Sequence, residues 1–152
     1  MDPNQFKLFK QITLDYFAKL APDDTPAMGE PYMQFGEPRL YDYTSMVEIQ
    51  GEYSGYLYLT SRSATLEKIL EINGEDEVSE RTRRDMCREL SNVLAGNASQ
   101  AFGGNWDISV PISMAAEDFN GRKLPESSFI MPIRWRQEEF LLVVGLRPAE
   151  GN

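Results

Sequence analysis

Histidine is absent from all 152 residues. That removes Ser-His-Asp and Cys-His catalysis, and any zinc site that needs imidazole. A metal site built from carboxylates alone stays open. There is a single cysteine, Cys87, so no internal disulfide can form. No apolar run is long enough to span a bilayer, and the N-terminus carries no signal-peptide pattern. Positive charge is scarce: 15 Lys and Arg against 24 Asp and Glu leave a net charge of -9. A surface of that sign repels a nucleic-acid backbone. Gly103-Gly104 lacks the lysine and the spacing of a phosphate-binding loop. These absences predict a cytoplasmic protein with neither nucleic acid nor membrane as partner. Its chemistry must rest on acids, amides, hydroxyls or backbone.

What is present is ordinary for a globular chain: 41% hydrophobic and 26% charged residues, enough for one domain over residues 1–152 with a real core. Asp2-Pro3 reads as the cap and first position of a helix that ends near Ala21-Pro22. Phe6, Phe9, Ile12, Leu14, Tyr16, Phe17 and Leu20 supply its apolar spacing. A loop over residues 22–31 follows, then a short edge strand near 32–35. Residues 45–50 and 56–60 alternate as strands and form a hairpin around 51–55. A second helix is predicted over 61–72 and a third from an acidic entry at 75–80 to about 102. Residues 107–114 read as a strand whose Pro111 places it at an edge or a bulge. Residues 115–126, with Asn120-Gly121, read as loop or turn. Strands over 129–135 and 140–146 form a second hairpin through 137–139, and the tail from 147 frays. Strands grouped apart from helices and joined by hairpins indicate an α+β fold with a mainly antiparallel sheet.

The third helix carries the informative pattern. At about 100° per residue, Met86, Leu90, Leu94, Ala98 and Ala101 share one side and can bury. Cys87 falls on the same flank and reads as a small core residue. Asp85, Glu89, Asn92, Gly96 and Ser99 gather on the other side. That side holds an acid, an amide and a position with no side chain, where an idle wet face would fill with Lys, Glu and Arg. Arg81, Arg83, Arg84 and Arg88 form a basic cluster on an acidic chain. A solvated face with local ion pairs accounts for it better than a docking patch for an acidic partner.

With these residues in view, the chain resembles the CheC/CheX/FliY chemotaxis phosphatases, and the CheX type most. The family signature of Asp or Ser, three residues, Glu, two residues, Asn, then a later Pro is met by Asp85, Glu89, Asn92 and Pro111. Asp42-Tyr43-Thr44, the Gly51–Gly55 turn, Arg84-Asp85-Met86, Ala95-Gly96-Asn97 and Ile108-Ser109-Val110-Pro111 extend the likeness over roughly residues 5–147. The resemblance implies two long helices and a shorter one packed on one face of the sheet. It implies hydrolysis of the aspartyl phosphate of a CheY-like response regulator, which brings its own Mg2+ and Lys. No metal or cofactor is then expected in this chain.

Under the resemblance Glu89 and Asn92 are the catalytic pair. Asn92 would orient the attacking water, since an amide both donates and accepts. Glu89 would pair with the regulator's Lys, because nothing in the sequence marks it as a general base. Asp85, Arg88, Gly96 and Ser99 would contact the partner, although Asp85 reads equally as structural, orienting Arg84 or Arg88 or suiting the helix start, and Ser99 and Asn97 also read as structural, with Asn97 bonding backbone if buried. The first helix has no Glu-x-x-Asn, so one site per chain is implied. A homodimer joined through its sheets is implied too. The strand at 140–146, apolar on both faces, is hazardous as an edge, but it suits the centre of one sheet equally well. The competing function is a CheX-like binding module without catalysis. Internal bonds to Glu89 and Asn92 would favour that module.

Overall fold

A computed structural model describes residues 3–34, 37–119 and 128–148. The predicted Asp2 cap, the Asn120-Gly121 turn, Phe35 at the end of the short strand, and the tail beyond 148 lie outside these residues. Helix α1 spans Pro3–Leu20 and buries Phe9, Ile12 and Phe17, while Leu14 is only half-buried. Strands β1 (Ala27–Met28) and β2 (Tyr32–Met33) follow. The first is a departure, because 22–31 reads as loop. Two residues are too short for an alternation signal, and both strands exist only by pairing with β7.

The first hairpin joins β3 (Tyr43–Gly51) to β4 (Tyr53–Ser61) and is tighter than predicted. Gly55 lies inside β4, not in the turn. Its φ of +153° and a would-be Cβ 1.8 Å from the Gly145 carbonyl oxygen admit no side chain. Helix α2 covers Ser63–Ile72, and its N-terminus is satisfied from outside. Asp42 Oδ2 accepts from the Ser63 backbone N–H at 2.8 Å and from its hydroxyl at 3.2 Å.

Helix α3 spans Glu80–Ala101. Ser79 and Thr82 cap it reciprocally, each hydroxyl accepting from the other's backbone N–H. It stops at Gly103 and Gly104, both at positive φ, where the Gly104 N–H reaches back to the Ser99 carbonyl. The predicted 107–114 strand is two pieces, β5 (Trp106–Ile108) and β6 (Ile112–Ser113), both paired with β3. Pro111 sits in the break, as its missing N–H requires. A single 3-10 turn, Ala116–Phe119, follows. The last hairpin pairs β7 (Phe129–Trp135) with β8 (Glu138–Pro148). Its turn is Arg136-Gln137, not 137–139, and both residues have positive φ. Arg147 and Pro148 continue the strand; they do not fray.

All pairings are antiparallel, in the order β1-β7-β8-β4-β3-β5, with β2 beside β1 on the β7 edge and β6 beside β5 on the β3 edge. The strand at 140–146 is therefore central, between β7 and β4. Its apolar faces are explained within one chain and lend no weight to a dimer. One face of the sheet packs under all three helices: Val47, Ile49, Leu57, Leu59, Ile133, Phe140, Leu142 and Val144 meet Phe9, Phe17, Leu66, Ile69, Leu90 and Leu94. On the other face Met46, Tyr58, Leu141 and Val143 lie under Met114 and Phe119.

Cys87 is buried in the helix-side core at 1% exposure. Loss of solvation on burial pushes its thiol from 9.0 up to about 12. Ellman's reagent should label Cys87 only after denaturation, and rapid labelling of the folded protein would contradict this burial. A pKa raised in the folded state favours folding below the ordinary value. Stability should therefore fall as pH climbs from about 9 toward 12, a trend that urea melts across that range would detect.

Candidate functional site

The site is built on α3, and the underside of that helix explains its orientation. Met86, Cys87, Leu90, Leu94, Ala95 and Ala98 are buried against the sheet and its neighbouring helices. Ala101, predicted on this face, is exposed in the last turn. Ser91 and Ser45, both fully buried, bring helix and strand close. Ser91 Oγ donates to the Arg88 carbonyl at 2.9 Å, so the 2.6 Å contact with Ser45 must be donated by Ser45. With Leu90, Ser91 and Leu94 held below, Glu89 and Asn92 can only point outward.

Both are exposed, and neither side chain makes a hydrogen bond or ion pair among the described residues. Their i to i+3 spacing sets them side by side on one face. An acid and an amide thus stand free next to Asp85 and Arg88, which are engaged with each other. Gly96 lies about one turn on, half-buried, and a Cβ built there meets nothing within 4 Å. The absent side chain is not required by this chain's own packing. Gly96→Ala should therefore stabilise the fold by about 0.5–1 kcal/mol through helix propensity, measured by thermal or urea melts.

The other predicted contacts divide. Asp85 is exposed but pairs with Arg88, whose second terminal nitrogen donates to Ser113 Oγ at 3.1 Å. Asp85 and Arg88 thereby tie α3 to β6 and flank the pair without joining it. Ser99 is 5% exposed, so its hydroxyl has no route to a partner. Its angle on an isolated helix matches the stripe, but packing against the rest of the fold buries it. Asn97, by contrast, is exposed. The arginine cluster is largely spent on local ion pairs: Arg83 to Glu67 at 3.2 Å and Arg84 to Glu80 at 2.6 Å. Exposed pairs of this kind contribute at most about 1 kcal/mol each.

Tyr16 on α1 is a neighbour that sequence reasoning assigned to packing alone. It lines an open groove together with Glu89. Burial, and then the Glu89 carboxylate, push its phenol from 10.0 up to about 12. Among the described residues no cluster of acids, Cys or His could hold a metal ion, and no helix is long and apolar enough to cross a membrane.

No curated protein matches this sequence. Among solved structures, the chemotaxis protein CheX of Desulfovibrio desulfuricans superposes with a TM-score of 0.79 at 18% identity, over 95% of this chain and 99% of that one. A CheC-like superfamily protein of Shewanella sp. PV-4 gives 0.79 at 18% identity, over 97% and 99%. CheX of Borrelia burgdorferi, in a complex with CheY, BeF3 and Mg2+, gives 0.71 at 18% identity, over 94% and 97%. At such identities the likeness establishes the fold. The sequence profile of the family described as chemotaxis phosphatase CheX matches residues 43–134, a span that holds β3, β4, α2 and all of α3. The chain belongs to the CheX family of chemotaxis phosphatases.

Proposed function

We propose that this protein hydrolyses the aspartyl phosphate of a CheY-type response regulator, with Glu89 and Asn92 as its catalytic residues. The observation that carries the reading is the exposure of that pair, untied, on the outward face of α3 in a CheX-family chain. Phosphoryl transfer asks for positioning and charge stabilisation more than covalent help. The Asn92 amide accepts from a water and donates to it, which aligns the water oxygen with phosphorus. As that oxygen bonds to phosphorus, the bond to the aspartyl oxygen breaks. The regulator recovers its carboxylate, and inorganic phosphate leaves. Glu89 pairs with the regulator's Lys and holds the two proteins in register. The regulator supplies Mg2+, which neutralises charge on the phosphoryl oxygens. Gly96 leaves room for the partner's backbone to approach, and Arg88, locked by Asp85 and Ser113, borders the contact. The same reading places the protein in the cytoplasm and takes it as a homodimer, as the family resemblance implies.

The test is decay of a phosphorylated CheY-type regulator in Mg2+, with the wild-type protein and with the Glu89→Ala, Asn92→Ala double variant. Acceleration by the wild type alone supports the reading. Equal acceleration by both removes these residues from the chemistry. Binding without acceleration, across the regulators of the source organism, leaves a CheX-like binding module.

A further inference from the structure

The groove beside Glu89 has a volume of about 370 Å3 and runs between α1 and α3. Tyr16, Leu20 and Val93, all half-buried, give it apolar walls. Lys19 and Asn97 are exposed along it. The acid of the α1 wall, Asp15, is already bonded to Gln11 at 2.7 Å. Lys19 has no ion pair among the described residues, and Glu89 has none. The groove therefore offers a partner one unpaired cation, Lys19, and the unbonded Glu89 carboxylate between apolar walls, with Asp15 a second carboxylate held by a neutral amide.

Its place on α3 decides what would fill it. Glu89, Val93 and Asn97 form a single i, i+4, i+8 row, and Asn92 and Gly96 form the adjacent row. A partner centred on Glu89 and Asn92 covers about 800 Å2 if its interface is of standard size, far more than two side chains. On the opposite flank, the Asp85–Arg88–Ser113 link has spent its charges internally. The α1 flank, by contrast, carries Lys19 with no ion pair among the described residues.

We infer that this groove sets regulator specificity: it receives an apolar side chain of the phosphorylated regulator, and an adjacent acidic residue of that regulator meets Lys19. The inference rests on the phosphatase reading and extends its contact surface to α1. Lys19, Val93 and Asn97 act in docking and touch no reacting atom.

The experiment measures KM and kcat for the phosphorylated regulator with Lys19→Glu, Val93→Asp and Asn97→Arg. Asn97→Arg changes an exposed position, so it remains informative if Val93→Asp folds poorly. Each should raise KM roughly tenfold and leave kcat within about twofold, the signature of binding lost equally from ground and transition states. Lys7→Glu, the same charge change on an exposed part of α1 outside the groove, should leave KM within about twofold and so controls for net charge. Titration of the regulator loaded with Mg2+ and beryllofluoride gives Kd independently of turnover. Unchanged KM and Kd in all three variants, with the wild type active, overturn the groove while leaving the phosphatase intact. A wild type that binds without turnover, with Kd weakened in the variants, overturns the phosphatase while keeping the groove. No binding to any regulator overturns both.

Discussion

Asn92→Ala should slow regulator dephosphorylation by about 100- to 1,000-fold, the loss typical when one preorganised polar group is removed from a transition state. The fold should be unaffected. The Asn92 side chain is exposed and makes no hydrogen bond among the described residues, so its truncation breaks no internal hydrogen bond. Surface changes away from caps and cores stay within about 0.5 kcal/mol. The melting temperature should therefore match the wild type. Glu89→Ala should lower activity comparably, and Glu89→Gln should restore little of it, because the proposed role is to carry charge toward a Lys. The double variant should be little worse than either single one, since residues acting as a unit are not additive. Full activity in Asn92→Ala would move the water-positioning role elsewhere.

The inverse result is expected at Leu90, which lies between Glu89 and Asn92 in sequence. Leu90→Ala should cost about 2–5 kcal/mol of stability, the range for truncating a buried leucine. Leu90 is 0% exposed and belongs to the core that α3 shares with the sheet. The lost contacts lie directly beneath Glu89 and Asn92, so the variant loosens the platform and not the chemical groups. Activity per folded molecule should be largely kept at low temperature and fail early on heating. A urea midpoint gives the stability, and an assay well below the melting point separates the two effects. A loss under about 1 kcal/mol would mean that α3 is not seated as described.

These two outcomes rest on the part of the molecule most legible in the sequence. A helix has a local period, so the identities of residues 85–101 alone predict that Leu90 and Leu94 bury and that Glu89 and Asn92 share the opposite side. Exposure of the pair, burial of Cys87 and the α+β class with its antiparallel hairpins all follow from patterns a few residues long. Pro111 likewise announces the break between β5 and β6, because a missing N–H is a property of one residue.

What only the tertiary structure decided depends on groups far apart in the chain. The angle of Ser99 on an isolated helix places it in the stripe, but packing against the rest of the fold buries it. Asp85 has the exposure of a docking residue, yet it pairs with Arg88, whose other terminal nitrogen donates to Ser113 on β6, a strand distant in sequence. The strand at 140–146 reads equally as edge or centre until β7 and β4 pair with its two sides. Strand β1 is too short to carry any signal, and the groove beside Glu89 exists only because α1 packs along α3. Periodicity fixes which way a side chain points from its own element. Neighbours contributed by distant segments decide what it then meets, and no local pattern encodes them.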